Sequence, residues 1–153
     1  MNFRKPGTVY FSRIGRRPAM EFTSNMVTNV ELIDEQHKKL FNHIDLVESM
    51  GKKPLSKDKA METIDFLGDY IEKHFGDEEE LQRKTHYPRY KEHHKLHKWY
   101  IGEYRRLRVE YNKNGYSEYF AHILNESIVN WYIKHVLIED IALGKHIGAE
   151  VLT

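Results

Sequence analysis

The stretch Trp131-Tyr132-Ile133-Lys134-His135-Val136-Leu137-Ile138-Glu139-Asp140 decides how the chain is read. It is an apolar, helix-like run carrying one histidine and two adjacent acids, with no glycine or proline to mark a turn. Taken alone it says little, because a single histidine on an apolar stripe is usually a core residue whose ring nitrogens find backbone or water partners. Upstream, however, stand His37, a His74/Glu78 pair and a His93/His97 pair, each on its own helix-like segment. Four helices turning imidazoles and carboxylates inward describe a di-metal site in a bundle core.

The three upstream segments carry the helical period. Leu32/Ile33, Gln36/His37, Leu40/Phe41, Ile44 and Val47 recur at three- and four-residue steps, predicting a first helix over Leu32 to Met50 that Gly51 and Pro54 end. Ser56 is the expected N-cap of a second helix, Lys57 to Lys84, whose stripe runs Ala60, Ile64, Leu67, Ile71, His74/Phe75, Glu78 and Leu81. At roughly 100° per residue, His74 and Glu78 stand about 40° apart on one face. That face is also the apolar one, where a carboxylate needs a proton, a cation or a metal.

Pro88 suits the first turn of a third helix that Asn114-Gly115 closes, with Tyr90, His93, Leu96/His97, Tyr100/Ile101, Tyr104 and Leu107/Arg108 inward. Ser117 opens a fourth with Phe120, Ile123/Leu124, Ile128, Trp131, His135 and Ile138 inward, and Gly144 and Gly148 at its fraying end. Short connections between four helices predict an all-α, antiparallel up-down-up-down bundle over residues 21–153. Residues 1–20 hold five basic side chains and no acid, and are expected to form an irregular N-terminal extension.

Bulk properties bound the function. A chain of 153 residues fits one domain with a single core. A net charge near +1 gives no global attraction to nucleic acid or an anionic membrane. No apolar run reaches the ~20 residues that span a bilayer, and the first 20 residues lack a signal-peptide core, so the cytoplasm is the expected compartment. The absence of cysteine excludes thiolate metal sites and disulfides. Histidine is the unusual entry, with ten copies. Imidazole with carboxylate suits Fe, Mn, Zn, Co or Cu. Five histidines and two acids exceed what one tetrahedral zinc uses, whereas two bridged metals take all seven. Spacing leaves the second acid open. Glu139, four residues after His135, aligns with it, and Asp140 does so only if the helix widens to a π-turn.

These segments resemble the hemerythrin family, most closely its bacterial members. Ile33-Asp34-Glu35-Gln36-His37-Lys38-Lys39-Leu40-Phe41 is similar to the family's first-helix motif, and His74-Phe75-Gly76-Asp77-Glu78-Glu79 to the second. Tyr87-Pro88 with His93 and His97 resembles the third, and Trp131 through Asp140 with Leu143-Gly144 the fourth. The resemblance implies two iron ions joined by an oxo or hydroxo group. His93, His97 and His135 would saturate one ion, His37 and His74 would hold the other with one position open, and Glu78 and Asp140 would bridge. It therefore selects Asp140 over Glu139. It also implies reversible end-on O2 binding for carriage, storage, delivery or sensing, with peroxide, NO and azide-like anions as further ligands; the near-neutral charge and the lack of a spanning apolar run are what argue against a nucleic-acid or membrane partner.

Leu40, Phe75, Trp131, Tyr132 and Val136 occupy the positions that correspond to the family's O2 pocket. Two of this chain's residues depart from the pattern. Tyr132 stands where the family carries an aliphatic residue, so either the phenol faces the irons or it turns outward to pack between helices. If it faces inward, an enzyme (a peroxidase, oxidase or NO/peroxide reductase involving Tyr132) is the alternative to an O2-binding protein. Phe22 stands where bacterial relatives carry tryptophan, a change expected to affect packing only.

Overall fold

Each of the four helical rods begins or ends where local chemistry requires it. The structure, a computed structural model, describes residues 21–53 and 55–151; the basic arm over 1–20 and Pro54 lie outside the described residues. Helix α1 spans Glu31–Ser49, α2 Lys57–Lys84 and α3 Tyr90–Asn114. The fourth rod is continuous but not uniform. It runs as α4 (Glu118–Ile123), a π-helical segment Leu124–Asn130, α5 (Trp131–His135), a second π-helical segment Val136–Asp140, and α6 (Ile141–Val151). Together they form an all-α, antiparallel four-helix bundle in which each of the first three rods packs on the next.

The expected caps are in place. Ser56 accepts from Lys59 N at 3.3 Å and Ser117 accepts from Phe120 N at 3.0 Å, each satisfying an amide the helix leaves free. Helix α3 ends at Gly115, whose φ of 66° favours a residue without a Cβ. Pro88 lies just ahead of α3 rather than inside its first turn.

Helix α1 has no side-chain cap of its own. Instead Asp34 reaches back to accept from both Thr28 N and Thr28 Oγ1, each at 2.8 Å, and so ties the pre-helix segment down. That segment crosses the fourth rod at Gly144, where any Cβ would collide with the Thr28 carbonyl. Gly144 was expected to mark a fraying end; it lies inside α6, and close backbone approach is the reason for it.

Two apolar clusters sandwich a polar layer. The larger is built from Leu40, Phe41, Ile44, Leu67, Tyr100, Leu124 and Tyr132 among others, and the smaller from Ile33, Tyr87 and Leu143 at the other end. The sequence stripe fails at Ile138, expected inside but 62% exposed. The π-segment supplies the reason. One extra residue per turn rotates everything after His135, so that Asp140 comes inward and Ile138 goes out. Leu32 and Arg108, also read as inward, face solvent as well; Arg108 pairs with Asp65 across the α2–α3 surface.

Candidate metal centre

Seven buried side chains from all four rods meet between the two apolar clusters. Helix α1 contributes His37, α2 His74 and Glu78, α3 His93 and His97, and the fourth rod His135 and Asp140. The two acids divide their oxygens. Glu78 Oε2 lies 3.2 Å from His97 Nε2 and 3.5 Å from His93 Nε2, while Asp140 Oδ1 lies 3.1 Å from both His93 Nε2 and His135 Nε2. On the other side Glu78 Oε1 lies 3.3 Å from His74 Nε2 and 3.5 Å from His37 Nε2, and Asp140 Oδ2 lies 3.0 Å from His37 Nε2. One group thus offers five ligand atoms and the other four, with both carboxylates shared.

Glu139, which simple helical spacing favours, points elsewhere. It pairs with Arg89 at 3.2 Å, and the widened turn is what brings Asp140 back over His135.

Of the converging atoms, His97 Nε2 and His135 Nε2 lie 3.2 Å apart in hydrogen-bonding geometry, and most of the others have no such partner. Both oxygens of Glu78 and of Asp140, and Nε2 of His37, His74 and His93, lack any partner of hydrogen-bonding geometry among the described residues. Buried polar atoms left so are costly, and a cluster of them aimed at two common points fits cations. The donor set, five imidazoles and two carboxylates without thiolate, fits a pair of divalent or trivalent first-row ions.

Charge balance within the polypeptide shows the same demand. Burial and Asp140 push the Glu78 carboxyl up, but His74, His37 and His93 hold it well below the usual carboxylate range. Burial likewise opposes ionisation of Asp140, and His135, His37 and His93 overcome it. Burial lowers His37 and His93, yet contact with Asp140 and Glu78 raises them to about 9 and about 10. Burial wins at His74, which falls to about 4. Burial lowers His97 too, but Glu78 and Glu79 raise it overall, so the ionised acids favour protons on the imidazoles around them, and a metal must displace those protons to bind.

Outer partners orient two of the rings, and sequence reading missed them. His74 Nδ1 lies 2.8 Å from Gln36 Oε1, whose Nε2 donates to Asp77 Oδ2 at 2.6 Å. His97 Nδ1 lies 2.9 Å from Glu79 Oε1. Such bonds leave Nε2 as the free ligand atom. The available signal was adjacency, since Gln36 precedes His37 and Glu79 follows Glu78.

The apolar positions divide between the two groups. Leu40, Val136 and Tyr132 are fully buried in the main core. Tyr132 faces inward, its ring 6.0 Å from that of His37 and 5.4 Å from that of Phe41. Its hydroxyl has no hydrogen-bond partner among the described residues, and burial, Asp140 and Glu78 drive its pKa well above the usual phenol value. Phe22 also reaches His37, at 6.5 Å. Phe75 stacks on His97 at 3.7 Å and stands 5.7 Å from His74. Trp131 lies on the five-atom side, stacked on His135 at 4.6 Å.

Comparison with known proteins gives a consistent picture. The family model "Hemerythrin HHE cation binding domain" matches residues 28–145. A bacteriohemerythrin of Stenotrophomonas maltophilia (strain R551-3) is 24% identical over 125 residues, covering 80% of this chain and 77% of that one. The myohemerythrin of Sipunculus nudus is 27% identical over 110 residues, covering 72% and 78%. A Campylobacter jejuni bacteriohemerythrin is 26% identical over 118 residues, covering 77% and 87%. A solved crystal structure of a leucine-to-phenylalanine mutant superposes with a TM-score of 0.73 at 22% identity, covering 84% of this chain and 96% of that one, which speaks for the fold. With the family model spanning most of the chain, and all four rods carrying side chains of the buried cluster, this protein belongs to the hemerythrin family.

Proposed function

We propose that the chain is a non-haem di-iron protein that binds O2 reversibly. The observation that carries this reading is the unequal division of ligand atoms: five on the side of His93, His97 and His135, four on the side of His37 and His74. His93, His97 and His135 with one oxygen each of Glu78 and Asp140 would hold one ion. His37 and His74 with the other two oxygens would hold the second and leave one position for a ligand. Two ferrous ions supply the two electrons that make O2 binding possible at such a site.

The protein's own contribution is shape, dryness and charge. Leu40, Phe75, Tyr132 and Val136, all buried, keep bulk water from the four-atom side, and excluding water protects a reversible adduct from decay. Five neutral imidazoles against two carboxylates leave the site less anionic than carboxylate-rich di-iron bundles, which favours the reduced state. Among the described residues no helix is long and apolar enough to cross a membrane. The work we assign needs no membrane or nucleic-acid partner, and the cytoplasm suits it.

Tyr132 supports a second reading. A buried hydroxyl with no partner among the described residues, on a ring 6.0 Å from that of His37, supports a role in donating to a ligand on the four-atom side. That would permit proton delivery and turnover of O2, peroxide or NO in place of simple carriage. Anaerobic reduction of the iron-loaded protein followed by O2 separates the two. Carriage predicts a visible charge-transfer band that persists and disappears on evacuation. Immediate loss of the band with peroxide released or consumed supports the enzyme, and no O2-dependent band at all would defeat both.

A further inference from the structure

One line of contact between the cluster and solvent is made of stacked rings. Trp131 stacks on His135 with centroids 4.6 Å apart and planes 12° from parallel. Trp99 of α3 lies over Trp131 at 5.5 Å, with planes 32° apart. Tyr100 stacks on the same indole at 4.7 Å but is fully buried. Trp99 is 46% exposed, so three π-systems run from solvent to a side chain of the five-atom group. About half of Trp99 packs on Trp131 and the rest stays open to solvent, so one part of the indole is free to meet a planar partner.

The surroundings of Trp99 are positively charged. Lys95, one helical turn before it, and Lys98 are exposed on α3, and Lys134 is exposed on α5 beside Trp131. Two acids oppose them, Glu92 on α3 and Glu126 one π-turn before Trp131, while Glu103 is held by Arg106 at 2.8 Å, so three lysines face two acids. A planar ring with a phosphate tail matches both features, the ring against the exposed indole and the phosphate against the lysines.

We propose that the Trp99 face is a reduction port for an anionic reduced flavin, and that Trp99 and Trp131 couple the flavin electronically to His135. This rests on the di-iron reading above. The anionic flavin hydroquinone gives up two electrons one at a time. With two ferric ions held by the seven side chains, each electron would pass through the ring stack to one of them, so that two ferric ions would become two ferrous, the flavin the oxidised quinone, and one proton would be released. The rings end unchanged, and no protein bond forms or breaks. Electrons then enter on the side opposite the open position, so that re-reduction does not require the ligand pocket to open.

The test uses iron-loaded diferric protein, with iron content measured first, mixed anaerobically with reduced flavin mononucleotide or with reduced lumiflavin, which lacks the phosphate. Trp99→Leu is expected to leave iron content and the visible spectrum unchanged and to slow reduction by both donors about tenfold, with Trp99→Phe recovering part of the rate. Lys95→Glu with Lys98→Glu is expected to slow only the phosphate-bearing donor, by about tenfold at low salt and less at high salt. On the metal-free protein, Trp99 fluorescence should be quenched more by iodide than by caesium. Wild-type rates in Trp99→Leu with both donors overturn the port, and equal effects of the lysine reversals on both donors overturn the flavin phosphate. A wild-type chain that retains no iron defeats the di-iron reading, and the port with it, before any donor is mixed.

Discussion

Tyr132 meets His37 edge-on, with ring centroids 6.0 Å apart and planes 84° from parallel, and its buried hydroxyl lacks a hydrogen-bond partner among the described residues. An unpaired buried hydroxyl costs about 1–3 kcal/mol of stability. Metal-free Tyr132→Phe is therefore expected to melt at or above the wild-type temperature. If the phenol instead serves a bound ligand, the same variant in the iron-loaded form will change the decay rate of the O2-dependent band. A variant that melts lower in the metal-free form would show the hydroxyl to be bonded, and unchanged decay would remove Tyr132 from the mechanism.

Glu78 and Asp140 each give one oxygen to each group, so neither metal position survives intact without them. Glu78→Ala and Asp140→Ala are each expected to hold fewer than two irons per chain, measured by metal analysis after desalting. Two irons retained in both variants would exclude the bridging assignment.

The protons on His37 and His93 set a pH dependence. Their folded values, about 9 and about 10, lie above the ordinary 6.5, so in metal-free protein their stabilisation is complete below 6.5 and is lost as pH rises toward 9–10. His74, lowered to about 4, acts only below that window: the unfolded chain takes a proton there that the fold refuses. A metal supplies the positive charge without protons, so its contribution to stability should grow with pH. The gap in melting temperature between iron-loaded and metal-free protein is expected to widen from pH 6.5 to 9. A constant or shrinking gap would mean that the two imidazoles are not the protonated partners of the acids.

Much of this arrangement was legible in the residues, and the exceptions have physical causes. The second helix could be bounded from Ser56 and the Ala60-to-Leu81 stripe because capping and helical period agree there. In the fourth rod the period holds from Phe120 to His135 and fails after it, where the second π-segment changes the residues per turn. Ile138 and Asp140 exchange places for that reason, and only the resemblance, not spacing, selected Asp140. Tyr100 donates to the Ile128 carbonyl within the first π-segment, at 3.1 Å, a bond that no sequence period announces. The inward turn of Tyr132 and the surface stack of Trp99 on Trp131 depend on packing across rods, which one chain's periodicity does not encode.

Gly144 tests the account of the pre-helix segment. A Cβ there meets the Thr28 carbonyl, and Thr28 cannot yield easily because its N and Oγ1 both bond to Asp34. Gly144→Ala is expected to cost about 1–3 kcal/mol in denaturant melts, the usual penalty for overpacking. Wild-type stability would show that the segment is free to move away from the fourth rod.

Everything assigned to this protein requires two ions lying between the four rods. A crystal of the iron-loaded protein, with anomalous data at the iron edge, should show two peaks, each touched by one oxygen of Glu78 and one of Asp140. One peak should carry the three Nε2 atoms of His93, His97 and His135, and the other the two of His37 and His74 with one position free of protein. A single peak, or none between these side chains, would contradict it.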